Sequence, residues 1–179
     1  MKVTIIGTGN LEIIHKNTNV NKAELQKLLE DTAKLLVEKG AEIIIMPVQG
    51  IPYEFAKIYK KLGGKKVWGV IPVNCPFYGK YTMKIIGNYL DVIDEKIEFN
   101  SWYDADGNMG TLGDYTLCFG FSAGVLVEVS SMKYALLYRG KKTKLIIFEN
   151  TISSRLHKEV EESIKPIYIN SVKELRSLL

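Results

Sequence analysis

The stretch Gly113–Tyr138, GDYTLCFGFSAGVLVEVSSMKYALLY, decides the fold of this chain. It reads as a buried strand over Asp114–Phe119, then a turn of small residues, then a helix that starts near Ala123. A strand that enters a helix through such a turn leaves free backbone N–H groups at the positive end of the helix dipole, which favours a phosphate or carboxylate ligand. The apolar side chains of the helix recur at helical spacing, at Val125, Val129, Met132 and Leu136.

The turn before this helix is a candidate phosphate site. Its small residues admit a ligand close to the backbone, although small residues also serve close helix–sheet packing. Glu128 follows one turn into the helix, where it is either a catalytic or ribose-binding carboxylate or a solvated surface residue. The candidate phosphate-binding residues of the turn are Gly120, Phe121, Ser122, Ala123, Gly124 and Val125.

Short apolar strands alternate with helices along the rest of the chain. Asn21 and Glu24 form a capping-box pair at the start of one helix, and Pro52 suits the first turn of another. Alternation with short links is typical of a parallel sheet with helices on both faces. We therefore predict one domain over residues 1–179, an α/β three-layer sandwich with a mainly parallel, Rossmann-like sheet. Its other strands are predicted at Lys2–Ile6, Ala41–Met46, Lys66–Ile71, Tyr89–Phe99, Lys144–Phe148 and Pro166–Asn170.

The turns that follow these strands are expected to meet at one edge of the sheet. Right-handed crossovers bring the carboxyl ends of parallel strands together, and such folds bind ligands there. The turn after the first strand contains a single GxG, which predicts either a phosphate contact or a plain strand-end turn. The further candidate ligand-binding residues at this edge are Gly7, Thr8, Gly9, Asn10 and Gly50.

Several segments have no clear helical or strand period. Residues Asn10–Val20 are predicted to form a loop, and Pro72–Asn88 a mobile loop over the site. The polar stretch Ser101–Gly110 is predicted to be rich in turns, and a charged helix is predicted to start at Ser153 or Ser154.

Composition and charge exclude some partners. The formal net charge is +4, and no aromatic-interleaved basic stripe accompanies the lysines, so we predict no nucleic-acid partner. No apolar run approaches the roughly 18–20 residues that span a bilayer, and no signal peptide precedes the first strand. We therefore predict a cytoplasmic protein without a membrane partner.

The metal-ligating residue types are scattered. Cys75 and Cys118 have no CxxC partner, and the two histidines carry no ligand spacing. We predict no metal site and no cofactor. Asp104 and Asp106 are either turn residues, which is the commoner use of such a stretch, or acid–base carboxylates or metal ligands.

The segment Gly50–Pro72, GIPYEFAKIYKKLGGKKVWGVIP, resembles the GLMGxxAxxAxxxGGxVxGVIP block of the LOG-like group. That group includes cytokinin-activating phosphoribohydrolases and proteins once labelled lysine decarboxylases, within the SLOG nucleotide-binding superfamily. Met109 and Asp114 match the group's step before the core strand, and Gly120–Glu128, GFSAGVLVE, stands in the place of its PGGxGTxxE signature.

The resemblance implies a Rossmann-like nucleotide-binding fold and a homodimer or larger homo-oligomer that pairs through the helices flanking the signature. In the hydrolases, an arginine works with the signature glutamate on the N-glycosidic bond; this chain keeps Glu128 but has Ala105 at the arginine position. Phe121 and Val125 replace a glycine and a threonine of the signature.

Three functions follow as hypotheses. The first is a protein that binds a nucleotide or a nucleotide-derived phosphate ligand, as a sensor or an enzyme. The second is a phosphoribohydrolase that splits a nucleoside 5′-monophosphate, with Glu128 stabilising an oxocarbenium-like ribose. The third is a non-enzymatic interaction module with a decayed site, which Phe121 in the turn would favour.

Overall fold

The computed structural model describes residues 1–73 and 85–179, and these residues form a seven-stranded parallel sheet. The strand order is β4-β3-β2-β1-β5-β6-β7, so the first strand lies at the centre. The strands are β1 (Lys2–Gly7), β2 (Glu42–Ile45), β3 (Val67–Pro72), β4 (Glu95–Phe99), β5 (Tyr115–Phe119), β6 (Lys144–Phe148) and β7 (Ile167–Ile169).

Helices cover both faces of the sheet. The α-helices of the described residues are α1 (Leu11–Asn17), α2 (Lys22–Glu38), α3 (Ile51–Lys61), α4 (Trp102–Met109), α5 (Ala123–Tyr138), α6 (Lys158–Ile164) and α7 (Val172–Leu178). Two short 3-10 helices, Gly87–Val92 and Glu149–Thr151, follow β3 and β6 in the chain.

Two hydrophobic cores lie on opposite faces of the sheet. Alternate strand residues supply them, so that Ile5 of β1 faces one core and Ile6 the other. The first core packs against α1, α2, α3 and α7, and the second against α4, α5 and α6. The predicted α/β three-layer sandwich with a Rossmann-like sheet is confirmed.

Local capping signals specify the helix starts that the sequence predicts. The Asn21 side chain accepts a hydrogen bond from Glu24 N at 3.0 Å, and Glu24 Oε2 accepts one from Asn21 N at 2.9 Å. Pro52 lies in the first turn of α3, where its missing N–H costs nothing. Ser171 caps α7 by accepting from Glu174 N.

Two segments predicted to be loops or turns are helices. The loop prediction for Asn10–Val20 is wrong, because Asn10 Oδ1 accepts from Glu12 N and caps α1. Only Ile14 of that helix is buried, so no apolar period reveals it. The turn prediction for Ser101–Gly110 is also wrong: Ser101 caps α4, and the helix buries Ala105 and Met109 on one side.

Two boundaries also differ from the prediction. The chain before β4 is a 3-10 helix rather than a strand, because Asp94 accepts hydrogen bonds from Val67 N and Lys60 Nζ and holds the turn there. Helix α6 begins after His157 rather than at Ser153 or Ser154, which are exposed. Most of the loop predicted over Pro72–Asn88 lies outside the described residues.

Candidate functional site

A cavity of about 280 Å³ lies at the carboxyl edge of the sheet, on the side of the second core. The turns after β1 and β2 form one wall, and the first turns of α3 and α5 form the next. Helix α4 contributes Trp102, Asp106 and Met109 to the lining. The cavity therefore occupies the edge where parallel α/β sheets bind their ligands.

Six of the sequence-predicted site residues line this cavity. They come from two turns and one helix that are far apart in the chain, and the parallel pairing of β1 with β5 brings them together. The six are Gly7, Gly9, Ser122, Gly124, Val125 and Glu128.

The other predicted residues of the β1 turn and of the β2 turn do not line the cavity. The amide of Thr8 donates to Phe119 O at 3.3 Å, and its carbonyl accepts from Ile51 N at 3.1 Å. Asn10 caps α1. Gly50 has φ +93°, and a Cβ there would lie 2.4 Å from Thr8 O, so this glycine serves backbone packing.

The predicted residues of the β5 turn divide in the same way. The amide of Gly120 donates to the buried Thr151 Oγ1 at 2.9 Å, and Gly120 faces Ile14 rather than the cavity. Phe121 is half-buried against the second core, and Ala123 is exposed. The predicted cradle of six residues thus contributes Ser122, Gly124 and Val125 to the cavity wall.

The N-terminus of α5 presents backbone donors at the cavity. Ser122 caps the helix, with its Oγ accepting from Val125 N at 3.4 Å and its carbonyl from Leu126 N at 2.9 Å. Within the described residues, the amides of Ala123 and Gly124 have no acceptor, as expected for the first turn of a helix. A Cβ on Gly124 would meet only Ser122 Oγ, at 4.0 Å, so the space in front of it is open.

Glu128 is the buried polar group of the site. Its residue is 8% exposed, and its Oε2 has no hydrogen-bond partner in the described part of the chain. Burial raises the pKa of this carboxyl to about 8, with a further contribution from the charge of Asp106. At neutral pH Glu128 is therefore mainly the uncharged acid.

Asp106 is a cavity residue that is not among the predicted site residues, because the sequence favours a turn role for it over the acid–base alternative. Helix α4 carries it beside the buried Ala105, so that it lines the cavity with Glu128. Burial raises its pKa to about 6. The signal available in the sequence was the four-residue spacing of Ala105 and Met109, which marks one buried side of a helix and puts Asp106 next to it.

No cationic side chain of the described residues lines the cavity. Ala105, at the position of the group's arginine, is buried in the second core. The nearby arginines on the surface are engaged elsewhere: Arg139 donates to Asn108 Oδ1 at 2.8 Å, and Arg155 to Glu149 Oε1 at 2.6 Å. Residues 1–73 and 85–179 contain no cluster of three or more side chains suited to a metal ion.

A wider groove of about 730 Å³ lies between the end of α1 and the turn after β6. Its lining is polar, from Lys16, Asn19 and Glu149 among others. The groove also includes Glu24 from the first turn of α2, where the capping box with Asn21 occupies the helix start, and the buried Asn150 Oδ1, which has no partner in the described residues. It has no buried carboxyl without a partner, so we take the smaller cavity as the candidate site.

No protein-family model matches the sequence, and no curated protein matches it. Solved structures do match over 99% of this chain. They include TM1055 (16% identity, 96% of that chain covered, TM-score 0.67) and the molybdenum cofactor carrier protein of Chlamydomonas reinhardtii (15%, 94%, 0.62). DNA processing protein A of Helicobacter pylori, described for its single-stranded DNA binding mode, matches at 13% identity, with 79% of that chain covered and a TM-score of 0.60.

This chain shares its Rossmann-like fold with these neighbours. The fold expected from the sequence resemblance is therefore confirmed. In the described residues, no helix is both long and apolar enough to cross a membrane. The predicted homo-oligomer stays a prediction; α5 exposes the apolar side chains that such pairing would cover, at Leu126, Val127, Tyr134, Leu137 and Tyr138.

Proposed function

We propose that this protein binds a nucleotide or a nucleotide-derived phosphate ligand in the cavity at the carboxyl edge of the sheet. The phosphate lies against the amides at the start of α5, and the rest of the ligand extends towards Glu128 and Asp106. The two amides and the open space at Gly124 suit an anion, because helix N-termini bind phosphate through free N–H groups and the helix dipole.

The observation that carries this proposal is the unpartnered carboxyl of Glu128. A buried polar group without a hydrogen bond lowers the free energy of unfolding by about 1–3 kcal/mol. A ligand that donates a hydrogen bond to this carboxyl removes the penalty, so this free energy contributes to binding. The same helix that exposes free amides at its first turn carries Glu128 one turn later.

The neighbouring structures support a small-molecule ligand. One is named as a molybdenum cofactor carrier protein, and its match covers 99% of this chain and 94% of that chain. Another is described by its binding of single-stranded DNA. A nucleic-acid strand needs a positively charged groove for its backbone, and no cationic side chain of residues 1–73 or 85–179 lines this cavity. The charge pattern therefore favours a single small ligand.

A thermal-unfolding screen tests the proposal. The panel contains nucleoside monophosphates, dinucleotides, ribose 5-phosphate and inorganic phosphate. A ligand at a hundred times its Kd should raise the free energy of unfolding by about 2.7 kcal/mol. Stabilisation by nucleotides supports the proposal, whereas no stabilisation by any phosphate compound contradicts it and favours a non-enzymatic module with a decayed site.

We propose phosphoribohydrolase activity as a second candidate, because the cavity brings two carboxyls with different pKa values together. Such a pair can divide the roles of acid and base. Neutral Glu128 would protonate the leaving base as the C–N bond breaks. Ionised Asp106 would stabilise the ribosyl cation and accept a proton from the water whose oxygen bonds to C1′.

Release of free base from nucleoside monophosphates, followed by chromatography, tests this activity. Glu128→Gln and Asp106→Asn should retain nucleotide binding and lower kcat by at least about a hundredfold each. The exposed Asp104, on the same helix as Asp106, supplies the control variant Asp104→Asn, which should keep kcat unchanged. Absence of base release from the unaltered protein would contradict the candidate.

A further inference from the structure

The chemistry of the cavity walls constrains which part of a nucleotide lies deepest. This inference rests on the proposed nucleotide binding and is an alternative to the phosphoribohydrolase candidate, in which the same two carboxyls would act at the glycosidic bond. We propose that the inner end of the cavity holds the base of the ligand, and that the Asp106 and Glu128 carboxyls select guanine by accepting hydrogen bonds from its N1–H and 2-amino groups.

The apolar walls favour a base over a ribose at this position. Apart from the two carboxyls and Ser122 at the start of α5, the side chains that line the cavity are apolar or aromatic, among them Ile5, Ile6, Met46, Pro52, Trp102 and Met109. A ribose has hydroxyl groups in several directions, and each would be buried without a partner against such walls. A planar heterocycle buries both faces against apolar and aromatic groups and keeps its polar atoms at the edge.

The two carboxyls determine which hydrogen-bonding edge of a base can bind there. An ionised carboxylate only accepts hydrogen bonds, so its best partner is an edge with two adjacent donors. Guanine offers N1–H beside the 2-amino group. Hypoxanthine has N1–H alone. Adenine presents an acceptor, N1, beside its amino group, and this acceptor would face the carboxylate oxygens.

The surroundings of Glu128 make this recognition depend on pH. The charge of Asp106 from α4 raises the pKa of Glu128, and Glu128 in turn raises the pKa of the buried Cys118 thiol on β5. No cationic side chain of the described cavity lining opposes the two carboxyls. Glu128 must lose its proton to accept both hydrogen bonds. The affinity for guanine should therefore increase from pH 6 to pH 8.5, by up to about tenfold per pH unit below the pKa of Glu128. Adenine, which pairs with the neutral acid, should bind less tightly over the same range.

Calorimetric titration of guanosine, inosine, adenosine and their 5′-monophosphates, with ribose 5-phosphate, tests the inference. Guanosine should bind at least about tenfold more tightly than inosine at pH 8.5, since one hydrogen bond to a charged acceptor is lost. Equal binding of guanosine and inosine, or tighter binding of adenosine at pH 8.5, would overturn the inference.

The nucleosides and phosphates separate this inference from the proposed function. Binding of all monophosphates and of ribose 5-phosphate with similar affinity leaves the proposed function standing and overturns guanine selection. A guanosine preference to which the 5′-phosphate adds nothing supports the inference and contradicts the phosphate site. If none of the compounds binds, both are overturned.

Two variants show whether the carboxyls make the selection. Glu128→Gln and Asp106→Asn should each reduce the ratio of guanosine to inosine affinity by about tenfold or more. This ratio would not change if the residues were merely structural. The controls Glu162→Gln and Asp104→Asn alter exposed carboxylates of α6 and α4 and should leave the ratio as it is. An unchanged ratio in both cavity variants, with both folded by circular dichroism, would overturn the inference.

Discussion

Two turns on neighbouring strands of this protein look alike in sequence and are used differently. Strand β1 pairs with β5, with Gly7 opposite Phe119, and each strand ends in a turn rich in small residues. In the β1 turn, Thr8 bonds to Phe119 O and to Ile51 N, and Gly50 packs its backbone against it. In the β5 turn, Gly120 bonds to Thr151, but the amides at the start of α5 remain free in the described structure.

The difference shows that a glycine with a positive φ in a turn and a glycine inside the first turn of a helix have different roles. A turn glycine with a positive φ allows close contact with the backbone of another segment, as Gly50 and Gly120 do. A glycine in the first turn of a helix leaves space in front of the helix amides, as Gly124 does. We expect substitution of the turn glycines to affect folding and substitution of Gly124 to affect ligand binding.

Gly50→Ala should have the largest effect, and it acts on folding. A Cβ at this position would overlap Thr8 O and Gly9 Cα, at 2.4 and 2.5 Å, in a backbone conformation that already disfavours side chains. We expect a loss of about 3 kcal/mol or more in the free energy of unfolding, measured by chemical denaturation. Gly63→Ala is the matched control, because Gly63 also has a positive φ but no atom lies within 4 Å of its Cβ position; it should cost about 1–2 kcal/mol. Equal losses would mean that the contact with Thr8 contributes nothing.

Gly124→Asp should leave the fold intact and abolish nucleotide-induced stabilisation. The new side chain enters open space, and an acidic residue in the first turn of a helix suits its dipole. Its charge opposes a phosphate at the same amides, so the roughly 2.7 kcal/mol gained at a hundredfold ligand excess over Kd should be lost. Gly124→Asn has nearly the same size without the charge and should keep most of the stabilisation. If the aspartate variant responds to nucleotide like the unaltered protein, the phosphate lies elsewhere.

Glu128→Gln should change how stability depends on pH. The folded-state pKa of Glu128 is raised from the ordinary 4.5 to about 8. Unfolding therefore becomes easier as pH increases through this window, because the unfolded chain has an ionised glutamate and the folded chain a neutral one. Between pH 6 and pH 8 the loss due to this residue is about 2 kcal/mol.

Urea denaturation at pH 6 and pH 8 measures that loss, and it avoids most of the titration of Asp106, whose pKa is about 6. The Gln variant should show a smaller decrease than the unaltered protein. Glu162→Gln, at an exposed position, should show the same decrease as the unaltered protein. A decrease that survives in Glu128→Gln would assign it to another group.

Thr151→Val should have the smallest effect and should separate Gly120 from the ligand site. The hydroxyl of Thr151 accepts from Gly120 N and donates to Phe148 O, so its loss should cost about 1–2 kcal/mol of stability. Ligand affinity should stay the same. Thr32→Val is the control, because Thr32 Oγ1 is buried without a partner and its removal should be neutral or stabilising. A change in nucleotide affinity in Thr151→Val would place Gly120 in the site after all.

The sequence predicted the features that have strong local signals. Helix α2 has a capping box and a long apolar stripe, and the strands are short apolar runs bounded by turns. Helices α1 and α4 were not predicted, because each buries only one or two residues and their apolar periodicity is too weak to detect. Their caps, Asn10 and Ser101, are ordinary residues in a turn as well.

The site was predictable in part for the same kind of reason. Glu128 follows from its position one turn into a helix after a small-residue turn, which is a local pattern. The packing of Gly50 on Thr8 and the bond from Gly120 to Thr151 join distant segments, so no local pattern reports them. For Asp106 a turn role was the commoner of the two interpretations, because its burial depends on how α4 packs next to α5 and leaves no local signal.

The central position of β1 has a consequence for how the molecule assembles. Its partner on one side, β5, arrives late in the chain; the hydrogen bond from Lys2 N to Asp114 spans 112 positions. Contacts between such distant segments close large loops and slow the rate of folding relative to helical bundles of similar size. The cavity draws on segments from Gly7 to Glu128, so during synthesis it forms only after α5 has left the ribosome. Until then β1 has no neighbouring strand on that side.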